Sequence, residues 1–195
     1  MGAIRPPPRV KLIVGMLSAD SDLLIRAQHH LQRLFGPIDL TSALWPFDST
    51  DYYQDQMGPD LLRQFVAFAE LIRPERLAEI KRQTNHLEQV IRDEAGGADS
   101  LRPVNLDPGY LTLGKLVLAT TKDYTHRVNI GQGIYGEVTL HVHAGGWRAW
   151  PWTYPDYAAP TYHGFFTQVR DRLREQLAAD QVEQTSGEPG PGGRT

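Results

Sequence analysis

The chain has 195 residues, 41% hydrophobic and 22% charged, a globular composition with enough chain for one well-buried core. A formal charge of −3 with no Lys/Arg block argues against nucleic acid as a partner. The lack of cysteine excludes disulfides, thiolate metal sites and a cysteine nucleophile, and fits a reducing, cytoplasmic setting.

In chain order, residues 1–9 hold a run of prolines and no apolar leader core, and read as a disordered N-terminus. No later apolar run reaches membrane-spanning length, so no membrane partner is expected. Residues 10–180 read as a single domain, and 181–195, rich in Gly, Pro and polar residues, as a disordered tail. "VKLIVGML" (10–17) predicts a buried strand. Leu23, Leu24, Ala27, Leu31 and Leu34 then recur at helical spacing and stop before Gly36-Pro37. "IDLTSALWPF" (38–47) predicts a second strand and "DSTDYYQDQMGPD" a loop. "LLRQFVAFAELI" (61–72) fits strand or helix; Pro74 and the Phe-Val-Phe pattern favour strand. Pro74 suits the start of a long helix with Leu77, Ile80, Thr84, Leu87 and Ile91 inward, stopped by "AGG".

The second half changes character. "GKLVLATTKDY", "THRVNI", "YGEVTLHVH" and "GGWRAW" predict an antiparallel meander with glycine turns. "NLDPGYL" (105–111) reads first as turn chemistry, with Asp107 as a carboxylate ligand or base. "PWTYPDY" (151–157) is stiffened by proline and is expected to plug the core rather than wall a ligand. A last helix carries Tyr162, Phe165, Phe166, Val169, Leu173 and Leu177 on one face. The expected class is α+β: a mainly antiparallel sheet with three helices packed on it, a β-α-β-β-α start, then a β-meander and a C-terminal helix.

Two nucleotide motifs fail their context. "GYLTLGKL" begins like G-x-x-x-x-G-K, but Leu116 stands where the magnesium-binding hydroxyl is needed, and a strand follows instead of a helix. "GQGIYG" (131–136) matches G-x-G-x-x-G but opens a strand. "GQGIYGEV" also matches a kinase glycine loop, whose lysine and D-F-G partners are missing. Gly131 and Gly133 are better read as positive-φ turn residues.

A three-residue "GQG" turn closed by Ile130 and Ile134 sets Arg127 opposite Glu137, Thr125 opposite Thr139 and Asp123 opposite His141. These polar residues share the wet side of the hairpin. Val128, Val138, Tyr124 and Leu140 share the other side with His126, a core-edge residue whose proton-transfer role is open. His141 and His143, with Glu137, offer a minority divalent-metal reading. On the long helix Lys81, Asn85, Glu88 and Arg92 form a polar line beside the apolar stripe, either solvated or lining a site. Lys122 is a candidate anion contact.

"FDSTDYY", "MGPDLLRQFVAFAELI", "IKRQTNHLE", "NLDPGYL", "KLVLATTKDYTHRV", "GIYGEVTL" and "PWTYPDY" together resemble the bacterial family catalogued as domain of unknown function 4416, over about residues 10–160. The resemblance implies motif positions at Asp48, Tyr52, Lys81, Asn85, Glu88, Asn105, Asp107, Tyr110, Lys122, Asp123, His126, Arg127, Glu137, Thr139, Trp152, Tyr154 and Asp156, and transfers no catalytic role.

The leading expectation is an enzyme acting on a small anionic substrate, phosphorylated ones included. Asp107, His126 and Glu137 would move protons. Lys81, Asn85, Glu88, Lys122, Arg127 and Thr139 would hold the substrate. A non-catalytic ligand- or protein-binding module and a divalent-metal protein are the alternatives. Cofactor and protein partner are unassigned. Convergence of Lys81, Glu88, Asp107, Lys122, Arg127 and Glu137 on one pocket would favour the enzyme reading.

Overall fold

A computed structural model describes residues 2–48, 54–96 and 102–186. Tyr52 and residues 187–195 lie outside the described residues. The fold is α+β, an antiparallel sheet with helices on both faces.

Strand β1 (Val10–Ser18) is buried along its whole length because both its faces are covered. Leu12, Val14 and Met16 point into one core and Ile13 into the other. Helix α1 (Ser21–Phe35) starts where the Asp20 side chain accepts the Asp22 amide at 2.8 Å. It ends at Gly36, and buries Leu24, Ala27, Leu31 and Phe35 while Leu34 stays exposed. Phe35 meets Phe68 edge-on at 5.7 Å. The predicted second strand is two short pieces, β2 (Ile38–Thr41) and β3 (Trp45–Pro46), both paired with β4 (Leu62–Ile72). A one-turn helix, α2 (Gln54–Met57), precedes β4. Residues 61–72 are therefore strand, as Pro74 argued. A 3₁₀ turn at Pro74–Arg76 leads into α3 (Leu77–Glu94), whose inward stripe Leu77, Ile80, Thr84, Leu87 and Ile91 is buried as expected.

The strands β5 (Asn105–Leu111), β6 (Lys115–Thr120), β7 (Val128–Gly131), β8 (Ile134–His143) and β9 (Gly146–Ala149) follow. The sheet order is β2-β4-β1-β5-β6-β8-β7, with β3 beside β4 and β9 beside β8. A short helix α4 (Pro155–Ala158) precedes α5 (Pro160–Ser186), which runs beyond residue 180. Tyr162, Phe165, Phe166, Val169 and Leu173 of α5 pack around Phe65, whose ring lies 5.0 Å from Tyr162 and 5.2 Å from Phe166. No helix among the described residues is long and apolar enough to cross a membrane.

Three local expectations are corrected. "NLDPGYL" is no turn but strand β5, between β1 and β6. Pro108 is tolerated there because pairing to β6 starts only at Gly109, so its missing N–H leaves no β6 carbonyl unserved. The hairpin turn is two residues, Gln132 (φ 57°) and Gly133 (φ 74°), with Gly131 opposite Ile134. Finally, β7 begins at Val128. Residues 121–127 form a loop, turned by the Arg127 amide on the Tyr124 carbonyl at 2.9 Å, so the Thr125–Thr139 and Asp123–His141 pairs do not form. His141 instead faces Lys115 and Arg148.

The sorting of β8 side chains differs for a related reason. Leu118 pairs with Glu137 and Leu116 with Leu140, skipping Thr139. This bulge puts Glu137 and Leu140 on the same face, where strict alternation separates them.

Candidate active site in the split of the sheet

The β5–β6 ladder covers only Gly109–Leu111 against Leu116–Leu118. Beyond that point β5 stays on β1 as far as Asn105, and β6 stays on β8 as far as Thr120. The sheet therefore forks. Gly109 sits at the vertex, where a Cβ would lie 2.4 Å from the Val117 carbonyl oxygen, so only glycine allows the strands to close there.

A fork leaves backbone groups of β5 without a strand partner, and helix α3 supplies replacements. Glu88 accepts the Leu106 amide at 2.7 Å, and Lys81 donates to the Leu106 carbonyl at 2.9 Å. Glu88 also holds Arg102 at 2.9 Å. Burial pushes the Glu88 carboxyl up, against the pull of Lys81, Arg102 and the Leu106 amide.

The split holds a cavity of about 450 Å³. Its β5 side carries Asn105 and Asp107, with Arg63 from β4, Lys81 and Asn85 from α3, and Arg102. Lys81 lies 3.5 Å from Asp107, and the Asn105 amide donates to Asp107 at 2.6 Å. Arg102 donates to Asn105 Oδ1. Burial works to raise the Asp107 pKa, but Lys81, Arg63 and Asn105 outweigh it and hold the carboxyl below its usual range. Arg63, 2% exposed, reaches Asp156 at 3.2 Å and lies 3.7 Å from Asp107. Its Nε and Nη1 have no hydrogen-bond partner among the described residues. Burial opposes the charge on Arg63, yet neighbouring tyrosine oxygens, Asp156 and Asp107 outweigh it and keep the guanidinium firmly protonated. Burial pushes the Asp156 carboxyl up, against the pull of Arg63.

The β8 side carries Glu137, Arg127, Lys122, Tyr124 and Tyr154. Arg127 Nε donates to Glu137 at 2.9 Å, its Nη1 to the Lys122 carbonyl at 3.2 Å, and its Nη2 to the Tyr154 hydroxyl at 2.9 Å. Burial opposes the Arg127 charge, and its bonds to Glu137 and Tyr154 more than restore it. The predicted Arg127–Glu137 pair thus forms, but buried rather than wet: the two residues are 8% and 3% exposed. Thr139, also buried, stands behind Glu137 at 3.2 Å. Leu118, Ala119 and Thr120 of β6 and the following Thr121 line the cavity between the two sides, and Phe47, Pro155 and Tyr157 line it as well.

The segment 150–154 is pinned to β8 through Trp152 Nε1 on the Val138 carbonyl at 3.2 Å and Thr153 Oγ1 on the Thr139 carbonyl at 2.6 Å. A run of rings, Tyr124–His126–Trp152–Trp150–His141, stacks along this surface at centroid spacings of 6.0, 5.4, 5.2 and 4.3 Å. "PWTYPDY" therefore walls the cavity through Tyr154 to Asp156, and its Tyr157 also plugs the core against Phe166.

Of the candidate residues, Asp107, Glu137, Lys81, Asn85, Lys122 and Arg127 line the cavity. His126 stands outside it, 3.2 Å from Glu137; Glu88 and Thr139 support lining residues from behind. Sequence reasoning missed Arg63, Arg102 and Asp156 as site residues. An arginine inside the apolar run of β4 was the one signal for Arg63. The hairpin tip, Gly131 to Gly136, contributes nothing to the cavity. Among the described residues, no group of three or more His, Asp or Glu is arranged to hold a metal ion.

The family model described as "Domain of unknown function (DUF4416)" matches residues 8–173. No curated protein and no solved structure matches the chain.

Proposed function

We infer that this chain, which belongs to the family of domain of unknown function DUF4416, uses the split of its sheet as an enzyme site for a small anionic substrate, phosphorylated ones included. The observation carrying this reading is the convergence of Lys81, Asp107, Lys122, Arg127 and Glu137, from separate parts of the chain, on one cavity of about 450 Å³. That volume suits a metabolite rather than a polymer. Among the described residues the lining holds five cations, Arg63, Lys81, Arg102, Lys122 and Arg127, and three carboxylates, Asp107, Glu137 and Asp156, in a chain of net charge −3. Glu88 behind Arg102 takes up one of those charges.

In this reading Lys122 and Arg127 hold the substrate's anion. Asp107, kept ionised by its neighbours, accepts hydrogen bonds. Glu137, with His126 behind it, exchanges a proton with the substrate. A cytoplasmic setting belongs to the same reading and fits the lack of cysteine, and a bacterial source rests on the family resemblance alone.

One observation favours a non-catalytic binding module instead. Every carboxylate lining the cavity is already ion-paired: Asp107 with Lys81 and Arg63, Glu137 with Arg127 and Asp156 with Arg63. Arg127→Lys and Glu137→Gln separate the two readings. The enzyme reading expects both to fold, E137Q to bind ligand without turnover, and R127K to lose affinity. Wild-type protein that binds ligand at saturation and never converts it would establish the module instead. If both variants merely unfold, the pair is structural and this assignment falls.

A further inference from the structure

Helix α3 and strand β5 build a closed hydrogen-bonded frame along one wall of the cavity. On α3, Lys81, Asn85 and Glu88 share a face at i, i+4 and i+7. Glu88 holds Arg102 at 2.9 Å, Arg102 donates to Asn105, and Asn105 donates to Asp107 at 2.6 Å. Lys81, 3.5 Å from Asp107, closes the frame. Leu106 ties it to the backbone, with its amide on Glu88 and its carbonyl on Lys81.

Asn85 is the exception. It stands on α3 between Lys81 and Glu88, lines the cavity, is partly exposed, and makes no hydrogen bond to another described residue. Its neighbours are engaged with one another and would have to leave those bonds to reach it. Its carboxamide offers two N–H donors and a carbonyl acceptor, side by side in one plane. Water or a ligand must serve them.

Charge selects the ligand group. The frame sets Lys81 and Arg102 against Glu88 and Asp107, and Arg63 beside Asp107 has Asp156 as its own partner. A charged group brought to Asn85 would lose hydration and gain no net Coulomb energy from this wall. A neutral, planar donor–acceptor edge pairs with an asparagine amide through two parallel hydrogen bonds. A lone hydroxyl reaches only one of the two with good geometry.

We propose that Asn85 reads a carboxamide on the ligand, so that the cavity takes a small acid bearing a neutral amide at the end away from its anion. This deepens the reading of the cavity as an anion site and rests on it.

The test uses malonamate, succinamate and glutaramate, with dissociation constants from ligand-observed NMR at fixed pH and ionic strength. Each is compared with the dicarboxylate of its own length and with the branched acid in which methyls replace the amide N and O: 3-methylbutanoate, 4-methylpentanoate and 5-methylhexanoate. 4-Hydroxybutyrate supplies the hydroxyl, and inorganic phosphate the bare anion. At least one monoamide should bind wild type about tenfold or more tightly than both of its counterparts. Asn85→Leu, checked for folding by its melting curve, should shrink that advantage to within about threefold. A dicarboxylate, a branched acid or 4-hydroxybutyrate binding as tightly as the best monoamide would overturn the amide recognition, as would an advantage that survives in Asn85→Leu. Phosphate binding with every monoamide silent would overturn it too and leave the anion site standing. If neither the acids nor phosphate bind the wild-type chain, the proposal fails together with the reading beneath it.

Discussion

Glu88 accepts the backbone amide of Leu106 at 2.7 Å, a bond that in an unbroken sheet would belong to the neighbouring strand. Lys81, two helical turns earlier, takes the carbonyl of the same residue. Helix α3 thus holds β5 by its free edge, and Lys81 also lines the cavity that the free edge creates, with Glu88 behind it. Glu88→Ala removes the acceptor of the Leu106 amide and the carboxylate partner of Arg102, whose side chain keeps only its bond to Asn105. The expected loss is about 2–4 kcal/mol in urea unfolding. Glu88→Gln keeps an acceptor for the amide and should lose less. Equal losses in the two variants would mean that charge, not the backbone bond, is what Glu88 supplies.

The vertex of the fork makes a separate demand. A Cβ at Gly109 would meet the Val117 carbonyl at 2.4 Å and Leu118 Cδ2 at 2.7 Å. Backbone cannot give way as a flexible side chain can. Gly109→Ala should destabilise by about 1–3 kcal/mol and weaken ligand binding by displacing Leu118. Unchanged stability would show that β5 and β6 are not held together at that point.

Acid titration should separate the carboxylates by sign. The Asp107 carboxyl lies below its unfolded value of 3.8. Its stabilising contribution is therefore complete above that value and lost as pH falls through the lower, folded one. Asp156 moves the other way from the same unfolded value, so its contribution is greatest in acid and fades as pH rises through its folded value. The stability gap between wild type and Asp107→Asn should be flat above about pH 5 and close below about pH 4. Asp156→Asn should improve relative to wild type over the rise from acid to neutral. Parallel curves for the two variants would contradict the assigned charges.

Much of this fold can be read from the residues in order. The apolar run of β1, the stripes of α1, α3 and α5, and the break at Pro74 each follow from local spacing. The Arg127–Glu137 neighbours and the line Lys81–Asn85–Glu88 do as well. What could not be read depends on pairing between distant segments. Asn105 to Gly109 have the composition of a turn and become a central strand because β1 pairs with them along their length. The bulge at Thr139 moves Leu140 to the face of Glu137. The burial of Arg127 and Glu137 comes from the 150–157 segment folding over them, which no local pattern in the hairpin announces. Arg63 and Asp156, 93 residues apart, meet only in the closed structure.

Anion binding between Lys122 and Arg127 is the most direct point of attack. Crystals soaked in tungstate, a heavy-atom mimic of phosphate with a strong anomalous signal, would locate it in one data set. The account predicts an anomalous peak inside the split of the sheet, within hydrogen-bond reach of the Lys122 and Arg127 side chains, lost in Lys122→Ala crystals. Tungstate found only on the outer surface, with the split unlabelled at saturating concentration, would contradict it.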